Sequence, residues 1–189
     1  MINIFNKSEI FDCDCFVADY TQQTKNKKKV IISKKPFTDI SYFHLIKKNK
    51  NQNIPYLAIN LEDYAKFTES KNNCECIFES LSECSKPWVL FLEMKYCLSY
   101  NIEKHALEAI HQMDAMLNKL KEMKAFEQNK KRIYFVYSVP DHSNKAPFTS
   151  FYTTQDKELE LHKRGIIFLG ENSIIIATAN ILKVEQEKI

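Results

Sequence analysis

Residues 88–97 read WVLFLEMKYC: an apolar run of five residues, introduced by Pro87, that ends in Glu93-Met94-Lys95. A run this short, bounded by turn formers and charge, has the build of a buried strand rather than of a helix. On a strand, side chains two apart share a face. Glu93 and Lys95 therefore project side by side from its polar end. The same tripeptide recurs as Glu122-Met123-Lys124, where the apolar spacing is helical. On a helix, residues two apart diverge by about 200°, so that copy is expected to be solvated. A third Glu-x-Lys pair, Glu69 and Lys71, has no apolar run before it.

The rest of the fold is read outward from that strand. Upstream, CECIFESL (74–81) is a second short apolar run, and SECSKP between the two is rich in turn residues. A symmetric reversal about Ser82–Lys86 sets Glu75 opposite Glu93, at the roughly 5 Å of cross-strand neighbours. Downstream, Ile102, Ala106, Ala109, Ile110, Met113, Met116, Leu117 and Leu120 recur at three-and-four spacing, which predicts a helix from Asn101 to about Lys124. RIYFVYSV (132–139) predicts a buried strand stopped by Pro140. Cys15–Tyr20 and Lys29–Ser33 read as a strand pair, and 165–178 (GIIFLGENSIIIAT) as a C-terminal hairpin. Asp39–Lys48 has helical spacing at Ile40, Phe43 and Ile46, and Asn60 is a suitable N-cap for a helix over 61–71. The expected architecture is α/β: one domain over 1–189 whose core, 60–140, is a mixed central β-sheet flanked by helices.

Composition narrows the function classes. Only two glycines are present, Gly165 and Gly170, which excludes glycine-rich phosphate loops. No stretch has the roughly 18 apolar residues of a membrane span, and the N-terminal residues lack the build of a signal peptide. A cytoplasmic protein with reduced thiols is therefore expected. Cys13-Asp-Cys15 and Cys74-Glu-Cys76 are spaced too closely for a zinc knuckle; on strands, each pair of thiols would share a face. The formal net charge is +3, but residues 1–50 hold ten Lys against five acids. Lys27, Lys28, Lys29, Lys34 and Lys35 within that segment are the candidate contacts to a polyanion such as nucleic acid.

Two carboxylates facing each other repel, which a divalent cation relieves. Mg²⁺, or Mn²⁺ in its place, suits two carboxylates supplemented by water and phosphate oxygens. Lys95 beside them would orient or deprotonate water, or offset charge developing on a phosphate. His105, Glu108 and Gln112 form one row on the predicted helix, and Gln112 would face the same cleft. Glu79, Glu62 and Asp63 are further acids within reach of this region. The plainer alternative for Glu93 and Lys95 is a surface ion pair on an edge strand. A thiol enzyme using Cys97 or Cys84 with His105 is a third reading; it lacks an orienting residue.

The set NNCECIF, VLFLEMK and ALEAIHQMDAML resembles the restriction-endonuclease-like superfamily, the PD-(D/E)xK nucleases, over roughly residues 60–140. Members carry an acid on one strand, Glu-x-Lys on the adjoining strand, and in several subfamilies a Gln on the following helix. The resemblance implies a metal-dependent endonuclease hydrolysing phosphodiester bonds, of DNA in preference to RNA, in restriction or phage defence. Glu75 and Glu93 would be the metal ligands, with Lys95 and Gln112 completing the catalytic set. A chain of this size would need a second copy or a partner subunit to cut both strands. The first acid is Glu where Asp is usual, so the alternative expectation is an inactive nuclease-like domain that binds nucleic acid or a partner protein.

Overall fold

The computed structural model describes residues 4–21, 29–49, 52–68 and 73–185. Three layers stack: one long helix, a six-stranded sheet and a five-stranded sheet. The six-stranded sheet runs in the order β1 (Glu9–Phe11), β5 (Tyr56–Asn60), β6 (Cys76–Ser80), β7 (Trp88–Met94), β8 (Arg132–Ser138), β9 (Ile166–Gly170). Its first four strands are antiparallel neighbours, while β7, β8 and β9 run parallel. The five-stranded sheet has the order β11 (Ile181–Val184), β10 (Ser173–Thr178), β4 (Phe43–Ile46), β2 (Cys15–Asp19), β3 (Val30–Ser33). Both sheets are mixed, and the chain is α/β.

Strand β7 lies at the centre, and all seven of its residues are buried. Alternation distributes them between two cores. Val89 and Phe91 face the helix α2 (Ile102–Glu122), whereas Trp88, Leu90, Leu92 and Met94 face the second sheet. A parallel neighbour cannot follow a tight turn and needs a long crossover; α2 supplies it between β7 and β8. The eight apolar residues that predicted this helix are all buried. At its far end Glu122 and Lys124 are exposed, as expected of the second Glu-Met-Lys. Glu69 and Lys71 lie outside the described residues. No described helix is long and apolar enough to cross a membrane.

Four expectations are corrected. Asp39–Lys48 contains no helix; its centre is strand β4, with Phe43 and Leu45 buried in alternation. Partner strands on both sides, β2 and β10, override a three-residue spacing that mimicked helical periodicity. In consequence the central sheet is not flanked by helices on both faces; a second sheet covers one of them. The segment 165–178 is not a hairpin either. Strand β9 pairs with β8 in one sheet and β10 with β4 in the other, so the chain changes sheets at Glu171–Asn172. Asn172 fixes that crossing by bonding Ser138 and both backbone groups of Val139; the true hairpin is β10–β11. Finally, Cys74 and Cys76 pack in opposite cores, because β6 begins only at Cys76.

The remaining α-helices among the described residues are short. Asn60 does cap a turn, accepting the Glu62 amide at 3.0 Å. The turn is a 3-10 helix (Leu61–Asp63), followed by the short α1 (Ala65–Thr68). Helix α3 (Gln155–Lys163) packs beside β9 and has no counterpart in the sequence reading.

Gly170 closes β9 where the chain at Phe148 crosses it. Phe148 donates its amide to Gly170 O at 2.7 Å, and a Cβ on Gly170 would sit 2.3 Å from the Phe148 carbonyl carbon. Backbone on both sides cannot yield as a flexible side chain would. Gly170→Ala is therefore expected to destabilise the fold by about 3 kcal/mol, read as a lowered urea midpoint with unchanged m-value.

Candidate functional site

The ladder between β6 and β7 sets Cys76 opposite Leu92 and Glu79 opposite Val89. Continued by one place, it brings Glu75 to Glu93, the register expected from a reversal about Ser82–Lys86. The regular ladder stops there. The Glu75 amide bonds Leu92 O at 3.1 Å, one place off the pairing, a local irregularity of the bulge kind. The Glu75 side chain turns back to accept the Met94 amide through Oε2 at 3.1 Å.

Glu93 continues the α2-facing row of β7 and is 1% exposed. Its Oε1 accepts from Lys95 Nζ at 2.5 Å. This is no edge-strand surface pair: β7 is interior to the sheet, and the carboxylate is buried. A buried charge is retained at such a cost only when closely partnered. Lys95 is half-buried, and its amide bonds Ser138 O at 2.9 Å, so the parallel pairing to β8 carries past Met94 and fixes the backbone beneath the ammonium.

Glu75, Glu93, Lys95 and Gln112 line one cavity of about 410 Å³. Four residues expected to form a site from three separate elements are thus brought together. The cavity also includes Glu62, one of the further acids expected near it, and a wall that the sequence did not point to: Asp19 and Thr21, from the end of β2 in the second sheet, with Asn73. Both Thr21 donors, amide and hydroxyl, bond Asp19 Oδ1. Nothing in the sequence around Asp19 distinguishes it; its place depends on how the second sheet docks.

The electrostatics follow from crowding. Burial first, then the negative charges of Glu93 and Asp19, push the Glu75 carboxyl well above its ordinary range. For Lys95 burial is the largest influence and lowers the pKa, but the charges of Glu93 and Glu75 and the bond to Glu93 outweigh it, leaving a net rise. Lys95 is therefore an ammonium at neutral pH, a donor rather than a base.

The other candidates, Glu62 excepted, fall elsewhere. Glu79 pairs with Lys131 at 2.8 Å at the opposite end of β6, and Asp63 is exposed. Glu62 accepts the Val30 amide at 2.7 Å. His105 pairs with the Glu108 carboxylate at 2.8 Å on the α2 surface. Burial raises the Cys97 thiol, and His105, the expected partner of a thiol, pairs with Glu108 instead. Of the lysines, Lys27 and Lys28 lie outside the described residues. Lys29, Lys34 and Lys35 are exposed, but Lys34 pairs with Glu9 at 2.6 Å and lies over Phe11. Lys34 and Lys35 follow the end of β3 remote from the cavity, while Lys29 precedes Val30, opposite Asp19.

Among the described residues, no three or more His, Cys, Asp or Glu side chains form a group able to hold a metal by themselves. A cation here would rest on two carboxylates, with water and substrate oxygens completing its shell, an arrangement that suits Mg²⁺. The raised Glu75 pKa fits that occupancy, since a nearby positive charge would restore the ionised form.

No protein-family model, curated protein or solved structure matches the chain.

A carboxyl whose pKa is higher folded than unfolded stabilises the fold while protonated. That contribution is present below the unfolded value and is lost as pH rises toward the folded one. In EDTA Glu75 is therefore expected to contribute a fall in melting temperature as pH rises above about 4.3, the ordinary Glu value. Glu75→Gln should flatten this slope and raise the neutral-pH melting temperature, by about 2–4 °C for each ~1 kcal/mol recovered.

Proposed function

We propose that the chain is a Mg²⁺-dependent nuclease hydrolysing phosphodiester bonds of DNA, with Mn²⁺ able to substitute. The observation that carries this reading is the convergence of Glu75, Glu93, Lys95 and Gln112 on one cavity at the adjoining ends of β6 and β7. The order of the parts supports it: an acid at one strand, Glu-x-Lys at the end of its neighbour, then a helix bearing Gln. That is the order of the restriction-endonuclease-like superfamily, and a restriction or phage-defence role is what the resemblance implies.

Glu75 and Glu93 would hold the cation, which when bound supplies positive charge to the attacking water and the scissile phosphate. Lys95, protonated beside Glu93, would donate to a phosphate oxygen as negative charge builds there. Gln112, with a donor and an acceptor on one amide, would orient the water or an adjacent oxygen. Exposed Lys29, beside the register partner of Asp19, would contact backbone phosphate, while a second copy or a partner subunit would serve the other strand of a duplex.

A second reading is favoured by one feature. Glu75 stands where Asp is usual, and the Glu93–Lys95 pair already satisfies two of the charges internally. Such a domain would bind nucleic acid, or a partner protein, without cutting.

Incubation of purified protein with plasmid and linear DNA in Mg²⁺, Mn²⁺ or EDTA separates the two. Metal-dependent cutting is expected, reduced about 100-fold or more in both Glu93→Ala and Lys95→Ala. Binding without cutting selects the second reading, and cutting that survives in both variants removes the site assignment.

A further inference from the structure

The corner that follows β5, Asn60-Leu61-Glu62, touches both sheets at the cavity. The Leu61 amide bonds Glu75 O at 3.0 Å, so this corner holds the backbone of one candidate metal ligand. The flanking side chains reach the other way. Glu62 Oε2 accepts the Val30 amide at 2.7 Å, and Asn60 Nδ2 donates to Val30 O at 2.7 Å. Asn60 Oδ1 also accepts the Glu62 amide, which ties the two arms of the clamp together.

Val30 opens β3, an edge strand of the second sheet, and is itself buried. Buried backbone groups need partners, and here two side chains take the place of a neighbouring strand. Val30 is the register partner of Asp19, and Lys29 O accepts the Tyr20 amide at 2.9 Å. Whatever holds Val30 therefore holds Asp19, in the cavity wall, and the adjoining exposed Lys29.

We infer that Asn60 and Glu62 are positioning residues that clamp the β2–β3 pair against the Glu75 backbone, so that the second sheet presents Lys29 to nucleic acid. This rests on the nucleic-acid reading above and goes beyond it by building the binding cleft from both sheets. Glu62 acts through its acceptor oxygen rather than through its charge. That separates it from a metal ligand, the role its position in the cavity would otherwise suggest.

The test is the affinity of the full chain for a linear DNA duplex in EDTA, titrated over KCl, with thermal melting as the check on folding. Lys29→Ala is expected to weaken binding about tenfold and to lower the log–log salt slope by about 1, as for loss of one phosphate contact. Glu62→Ala should do the same. So should Asn60→Asp, which keeps the cap to the Glu62 amide but loses the donor to Val30 O. Combining Glu62→Ala with Lys29→Ala should add little, because both remove one contact. Glu62→Gln keeps an acceptor for the Val30 amide and should bind within about twofold of the parent.

Glu62→Gln as weak as Glu62→Ala would overturn the clamp in favour of a charge-dependent role. So would folded Glu62→Ala and Asn60→Asp that bind like the parent; should Glu62→Ala not fold, Asn60→Asp decides alone. A parent chain that binds no DNA overturns the clamp and the proposed function together. A parent that binds and cuts, with clamp variants unaffected, overturns the clamp only.

Discussion

Everything at this site depends on one costly contact: a carboxylate, Glu93, held 1% exposed at the end of the most deeply buried strand, with the Lys95 ammonium 2.5 Å away. Desolvating two ions costs several kcal/mol each, and their attraction offsets this only when geometry is close and fixed. Here the backbone fixes it. Strand β7 is gripped by β6 on one side and β8 on the other, and the bond from the Lys95 amide to Ser138 O extends that grip past the end of the strand. An apolar residue at 93 would continue the row of Val89 and Phe91 at lower cost. That the sequence breaks its own pattern here, and at Glu75 across the ladder, is the kind of local conflict found where function rather than folding sets the residue.

The second sheet makes such a conflict tolerable. Trp88, Leu90, Leu92 and Met94 on one face of β7 are buried against β2, β4 and β10, while Val89 and Phe91 on the other are buried against α2. With apolar packing on both faces, the polar end of the strand is anchored by everything before it. The same sheet supplies Asp19 to the cavity. The layer that stabilises the strand thus also closes the pocket at its end.

How much of this could be read in the sequence follows from where each signal resides. Strands β6 and β7, helix α2, strand β8 and the β2–β3 pair were legible because their patterns are local: short apolar runs, or a stripe at 3.6 spacing sustained over 21 residues. The register of β6 on β7 was legible because the turn between them is short, but the irregularity that takes Glu75 out of the ladder was not. Strand β4 was not, since four residues are too few for period two to compete with a chance helical spacing, and only its neighbours in the sheet decide the matter. Glu171–Asn172 looked like a tight turn, but the bonds that make it a crossing between sheets come from Ser138 and Val139, more than thirty residues earlier. Asp19 was invisible as a site residue for the same reason. Its role depends on contacts between Val30 and the Asn60–Glu62 corner that no local pattern encodes.

Charge decides what the cavity can accept. Asp19, Glu62, Glu75 and Glu93 line it, with Lys95 as the one cation among its described lining residues. Even with Glu75 protonated, as its raised pKa favours, the three remaining carboxylates outweigh one ammonium. A phosphodiester would be repelled from such a pocket. Occupancy by a divalent cation would offset most of that charge. It would favour ionised Glu75, relieve the repulsion between Glu75 and Glu93, and give the phosphate an attractive partner. Metal and substrate would therefore enter as a coupled pair, each improving the site for the other, which is the sense in which a pocket this acidic can serve a polyanion.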